Sequence, residues 1–259
     1  MNSSSTLITT TQDNGILQLG ITRPDKLNAL TIAMYDALTA GLEMAAQDDS
    51  IRVVLLQGTD NCFTSGNDLA DFTKNPPEDE NSPVFRFLKA ISQFKKPLVA
   101  KVSGPAVGIG TTMLLHCDLV YADETAKFRL PFVNLGLCPE AASSYLLPKL
   151  VGHLRASELL LLGEAIDAVR AAEMGLVTRI FPHAELTEKV FTKLLQLTQL
   201  PPRSVQLTKA LLKQNQSRQV AGVMSEEGAL FIEQLAQPEA QEALQAFLTG
   251  RQPDFSKFP

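Results

Sequence analysis

Two short apolar runs, Val53-Val54-Leu55-Leu56-Gln57 and Leu98-Val99-Ala100-Lys101-Val102, constrain this chain more than any other feature. A strand with one face in water alternates apolar and polar residues, whereas strands covered on both faces read as near-continuous apolar runs. Such sheets are parallel and need crossover helices. A helical pattern precedes the first run, after a short apolar strand at 16–21: Thr31 stands where a cap is expected, and Met34, Leu38, Leu42 and Ala45 recur at helical spacing. A second helix is expected over residues 84–94, after the polar, proline-interrupted loop at 76–81. Residues 119–122 and 126–128 are further short strands, and the small and apolar residues 108–117 suit a buried helix. The front of the chain is therefore α/β.

After Ser143 the pattern turns almost wholly helical, over 159–162, 165–174, 185–200, 204–213 and 226–248. Pro201-Pro202 marks a boundary, because proline opens helices and cannot continue them. The expected division is a core over residues 1–200 and a helical region over 201–259, within a length of 259 that allows one large domain.

Charge and cysteine usage narrow the function. With 23 basic against 28 acidic side chains the net charge is −5, which argues against broad binding of nucleic acid or anionic membrane. The three cysteines, Cys62, Cys117 and Cys138, match no CxxC spacing and suggest a reducing compartment. No apolar run approaches the roughly 20 residues that span a bilayer. The serine- and threonine-rich start lacks the marks of a signal or transit peptide, and the final Ser256-Lys257-Phe258-Pro259 is not a peroxisomal signal. A cytoplasmic protein is expected.

Several chemistries fail on their motifs. No P-loop string occurs, and no nucleophile elbow surrounds Ser65, Ser143 or Ser144. Gly108-Ile109-Gly110-Thr111-Thr112-Met113 is half of a dinucleotide fingerprint, with Met113 where the third glycine belongs, so a nicotinamide oxidoreductase rests on little. His116, His153 and His183 are too scattered for a zinc helix, and no metal site is expected.

Two glycine turns after strands remain, Phe63-Thr64-Ser65-Gly66-Asn67-Asp68-Leu69 and Gly104-Pro105-Ala106-Val107-Gly108-Ile109-Gly110. Glycine lets the backbone approach a ligand, and N–H groups opening a helix face anions, so together they can form an oxyanion hole. Taken alone, each also reads as a tight turn packing a helix on a sheet. A third segment carries Glu140 among small and apolar residues, where desolvation raises a carboxyl toward the range of a useful base. A surface carboxylate capping the next helix is the alternative.

Arg23-Pro24-Asp25-Lys26-Leu27-Asn28-Ala29-Leu30, Ser65-Gly66-Asn67-Asp68-Leu69, Gly104-Pro105-Ala106-Val107-Gly108, Leu135-Gly136 and Gly175-Leu176-Val177 together resemble the ordered motifs of the crotonase, or enoyl-CoA hydratase/isomerase, superfamily. The resemblance covers nearly the whole chain. It implies a spiral of repeated ββα units with a helical C-terminal region used for assembly into a homotrimer or hexamer. It implies acyl-CoA thioester substrates, fatty-acid β-oxidation chemistry and no further cofactor. The oxyanion-hole donors map to the backbone N–H groups of Asn67 and Ile109. Coenzyme A contacts map to Lys26, Leu27 and Ala29 and to Ser65, Gly66, Asn67, Asp68 and Leu69, with Arg251 and Lys257 as weaker phosphate candidates that read equally well as ordinary surface charges.

The family's hydratases carry two glutamates where this chain has Thr112 and Phe132. Glu140, within Pro139-Glu140-Ala141-Ala142-Ser143-Ser144-Tyr145, instead resembles the single catalytic glutamate of the peroxisomal-type Δ3,Δ2-enoyl-CoA isomerases. The resemblance implies a proton shuttle from C2 to C4 of a 3-enoyl thioester. Another crotonase-type reaction (hydration, hydrolysis or C–C cleavage) and a noncatalytic acyl-CoA-binding protein are the alternatives.

Overall fold

A computed structural model describes residues 7–258, so the serine-rich start over 1–6 and Pro259 lie outside the described residues. The two apolar runs are neighbouring parallel strands, as their composition demands. The main sheet has the order β1 (Ile8–Asp13), β2 (Ile16–Ile21), β3 (Val53–Gln57), β4 (Leu98–Val102), then β6 (Leu119–Ala122) and β9 (Arg179–Ile180). A smaller sheet joins β5 (Pro105–Val107), β7 (Lys127–Arg129) and β8 (Ile166–Asp167). Only β1 runs antiparallel in the main sheet, pairing Ile8 with Ile21 and Asp13 with Ile16.

Strand pairs split between the sheets. β4 passes through Ser103-Gly104 into β5, and β6 passes into β7, each pair followed by a helical segment. These are the ββα turns of the expected spiral, and they set the ends of β5 and β7 beside each other, with Gly108 donating to the Arg129 carbonyl at 2.8 Å.

The helices of the first half are α1 (Ile32–Gln47), α2 (Leu69–Lys74), α3 (Pro83–Gln93) and the single turn α4 (Ile109–Thr112). Met34, Leu38, Leu42 and Ala45 face the main core from α1, against Leu19, Leu56 and the α3 residues Phe87, Leu88 and Ile91. Thr31 makes no capping bond; the carboxylate of Asp71 takes the Ile32 N–H at 2.9 Å instead. The buried helix expected over 108–117 is α4 followed by a 3-10 turn, Met113–His116.

The second half holds α5 (Ser143–Val151), α6 (His153–Leu162), α7 (Ala168–Glu173), α8 (His183–Gln199), α9 (Pro202–Lys213), α10 (Ser217–Leu235) and α11 (Pro238–Leu248). The helix expected over 165–174 gives its first residues to β8, because Ile166 pairs with Phe128. The one expected over 226–248 is two helices broken at Pro238. Both α10 and α11 fold back onto the front half. Phe231, Leu235, Ala240 and Leu244 share a core cluster with Phe72, Leu130, Phe132 and Leu137.

Candidate active site

The two glycine turns lie side by side because Thr64 zips them. Its N–H donates to the Pro105 carbonyl and its own carbonyl accepts from Val107, each at 3.0 Å. Gly66 sits at φ +93, and a Cβ built there would stand 2.8 Å from the Val107 carbonyl oxygen. Only glycine allows this approach. Leu30 then takes up the neighbours of the key amide: its N–H donates to Gly66 O at 2.8 Å and its carbonyl accepts from Asp68 at 2.9 Å. The Asn67 N–H between them has no acceptor among the described residues. In the second turn Gly108, at φ +57, opens α4, and its carbonyl accepts from both Thr111 and Thr112. The Ile109 N–H is likewise left free among the described residues. Both residues line one cavity of about 860 Å³.

The same cavity is lined by Lys26, Leu27, Ala29, Ser65, Gly66, Asp68 and Leu69, so the segments expected to contact coenzyme A converge there. Asn28 explains the fixed shape of the first of them. Fully buried at φ +56, its amide donates to the Cys62 carbonyl at 2.6 Å and accepts from the Arg23 N–H at 2.8 Å. Asp68 pairs with Arg23 at 2.6 Å and caps α2 through the Ala70 and Asp71 N–H groups. Burial opposes its charge, but these bonds hold its pKa below the usual value. The two tail cations are a correction. Arg251 and Lys257 do not line this cavity; both pair with Glu242, at 2.5 and 3.1 Å, and this holds the Glu242 carboxyl well below its usual range.

Glu140 enters the cavity from the loop before α5 and is 5% exposed. It is not a surface cap. Its Oε1 accepts from Thr112 Oγ1, while Oε2 has no partner among the described residues. The next two residues, Ala141 and Ala142, are left-handed at φ +62 and +55, a conformation that costs alanine about 1–2 kcal/mol per residue. His116 holds the turn, with Nε2 2.8 Å from the Ala141 carbonyl. Burial lowers the His116 pKa to about 4, so the ring is neutral at pH 7, and Nε2 carries its proton because a carbonyl can only accept. Burial raises the Glu140 pKa to about 8; the Thr112 bond pulls against this and the charge of Glu227 adds to it.

The two positions where hydratases carry glutamates are occupied by the partner of Glu140 and by a wall residue. Thr112 donates to the carboxylate, and Phe132 packs into the cavity lining. Several residues escaped sequence reasoning. Tyr35 donates to the Asn67 side-chain carbonyl; its signal was a phenol hydroxyl on the buried face of α1. Phe231, Leu244, Phe247 and Leu248 bring α10 and α11 to the cavity wall, a long-range packing with no local mark.

The sequence profile of the enoyl-CoA hydratase/isomerase family matches residues 11–257. The chain belongs to this family. Among curated relatives, the rat enoyl-CoA delta isomerase 2 is 37% identical over 250 residues, covering 94% of this chain and 64% of the relative. The 2,3-dehydroadipyl-CoA hydratase of Escherichia coli K12 is 34% identical over 241 residues, covering 93% and 94%. A solved enoyl-CoA hydratase/isomerase from Pseudoalteromonas atlantica T6c superposes with a TM-score of 0.91 at 44% identity, covering 96% of this chain and 99% of that one. The α/β fold with its helical C-terminal region is thus the crotonase fold. Among the described residues no acidic, histidine or cysteine cluster of metal-binding type occurs, and no helix is long and apolar enough to cross a membrane.

Proposed function

We propose that this crotonase-family chain is a Δ3,Δ2-enoyl-CoA isomerase using Glu140 as its single proton shuttle. The observation that carries the reading is one buried carboxylate with a free oxygen, in a cavity that also holds two unpaired backbone N–H groups. In this mechanism Glu140 Oε2 takes a proton from C2 of a 3-enoyl thioester. The C2–H electron pair moves toward the carbonyl, and the resulting dienolate oxygen is held by the Asn67 and Ile109 N–H groups. Each such donor is worth roughly 3 kcal/mol in a transition state. The same carboxyl then returns the proton to C4, leaving the conjugated 2-trans-enoyl thioester. Neither a water nor a further cofactor enters the balance.

The distribution of carboxylates favours this over hydration. A hydratase needs a second group to activate water, and Thr112 and Phe132 cannot serve as one. The coenzyme A moiety is assigned to Lys26, Leu27, Ala29 and Ser65 to Leu69, and the acyl chain to the apolar side formed by Phe72, Phe132, Leu137, Phe231 and Leu244. Residues 201–259 are assigned to self-association as a trimer or hexamer, supported by the exposed Leu207, Leu211 and Leu212 of α9.

Purified protein given 3-hexenoyl-CoA should generate the ultraviolet absorbance of a conjugated thioester. If it instead consumes 2-hexenoyl-CoA to the 3-hydroxy product and leaves the 3-enoyl substrate untouched, the reading is wrong. Because the base must be ionised, kcat/KM should rise with pH and level off above about 8. Thr112→Val removes a bond that favours the charged carboxylate, so its acid limb should move to higher pH than that of the wild type. A pH profile of both proteins checks the sign.

A further inference from the structure

The helix that follows Glu140 has no cap of its own. Ala142 stands at the N-cap of α5 and offers no side-chain acceptor, although the first N–H groups of a nine-residue helix need partners. The acceptor comes from the other end of the chain. Glu227 of α10, 6% exposed, takes the Ser144 N–H on its Oε1 at 2.9 Å; burial raises its pKa, and the bonds with Ser144 pull the other way. Buried carboxylates are costly, and Glu227 is not among the residues that line the cavity. Three buried polar atoms lack partners among the described residues: Glu140 Oε2, Ser143 Oγ and Glu227 Oε2, all gathered around this one helix start.

We propose that Glu227 is a positioning residue for Glu140: from α10 it pins the start of α5 and thereby the left-handed Ala141-Ala142 turn that aims the Glu140 side chain into the cavity. The turn is strained and is held at both ends, by His116 on the Ala141 carbonyl and by Glu227 on the Ser144 N–H. Freed at one end, the alanines relax toward ordinary φ and the carboxylate they follow moves. A displacement of about 1 Å at a reacting group can cost a hundredfold in rate. The proposal rests on Glu140 being the base.

Charge gives the role a signature that packing alone lacks. The titratable groups acting with Glu140 are Tyr35 on α1, Cys138 in its own loop and Glu227 on α10, and His116 is bonded to the adjoining Ala141 carbonyl. Burial raises the Tyr35 phenol and lifts the Cys138 thiol to about 11, and it keeps His116 neutral, so at pH 8 these three carry no charge. Burial raises the Glu227 pKa and its hydrogen bonds to Ser144 pull it down; once ionised, Glu227 alone among them brings a negative charge, which opposes ionisation of Glu140.

Glu227→Gln keeps a carbonyl acceptor for Ser144 and removes the charge. Its acid limb in kcat/KM should fall to lower pH by about one unit. Glu227→Leu removes both and should lower kcat about tenfold or more with KM within threefold. Carbon-13 NMR of the Glu140 carboxyl, assigned with Glu140→Gln, should show the same downward shift in Glu227→Gln, whichever acyl-CoA reaction the protein performs. Wild-type kcat in a fully folded Glu227→Leu overturns the proposal. So does a loss of kcat in Glu227→Leu that only follows the folded fraction measured by circular dichroism. A wild type without isomerase activity whose Glu140 titration still moves in Glu227→Gln would sink the isomerase reading and leave the positioning role standing.

Discussion

Glu140→Gln is expected to lower kcat for 3-enoyl-CoA isomerisation about a thousandfold while KM changes little, as measured by conjugated-thioester absorbance. The amide matches the carboxylate in size and can still accept from Thr112 Oγ1, so the cavity keeps its shape. What it loses is the ability to take a proton. General base catalysis contributes roughly a hundred- to ten-thousandfold, and the two free N–H groups retain their share. Full activity in this variant would show that another group carries the proton.

The same substitution has a second expected result, in stability. The folded pKa of Glu140, about 8, lies above the ordinary carboxylate value of 4.5. Between those two values the folded protein holds a proton that the unfolded chain has released. Stability therefore falls as pH rises through this window, and the loss is complete above the folded value. Glutamine has nothing to ionise. Glu140→Gln should melt above the wild type at pH 9 and show a smaller difference at pH 5, which calorimetry at the two values can read. Low activity combined with raised stability at high pH is what a catalytic group held in an unfavourable environment predicts, and it separates lost chemistry from lost fold.

The parts of this protein written in local pattern were legible beforehand. β3 and β4 appear as apolar runs, α1 as a stripe, and the oxyanion turns as glycines at strand ends. Strand β1 was not, because Ile8-Thr9-Thr10-Thr11-Gln12-Asp13 is a polar edge whose pairing with β2 does the work of composition. Strand β8 was hidden for a related reason: two residues join the small sheet only because β7 is there to receive them. At the site, Glu140 stood out as a carboxylate in apolar company. Glu227 did not, since it lies in an ordinary helical sequence and meets α5 only after α10 folds back across the chain. The tail cations stayed open between phosphate contact and surface charge because a charge in sequence shows no partner, and Glu242 supplies one by lying on the preceding helix α11.

Gly66→Ala is expected to lower kcat about a hundredfold, with a loss of stability of about 1–3 kcal/mol. Two independent constraints meet at this residue. Its φ of +93 suits no side-chain-bearing residue well, and the new Cβ would lie 2.8 Å from the Val107 carbonyl oxygen. Val107 cannot retreat freely, because its own N–H is tied to Thr64. The strain is therefore relieved by rotating the peptide that follows, which is the one carrying the Asn67 N–H. An oxyanion donor acts over a narrow range of distance, about 2.7–3.1 Å to the developing charge, so a shift of several tenths of an ångström removes much of its effect. Bound hexanoyl-CoA provides a readout that does not depend on turnover. Its thioester carbonyl band should shift to lower frequency in the wild type, as two N–H groups polarise it, and lose part of that shift in Gly66→Ala. An unchanged carbonyl band together with unchanged kcat would remove the Asn67 amide from the mechanism. A lowered kcat with an unchanged band would instead place the damage at the carboxylate, which the Glu140 titration can then test directly.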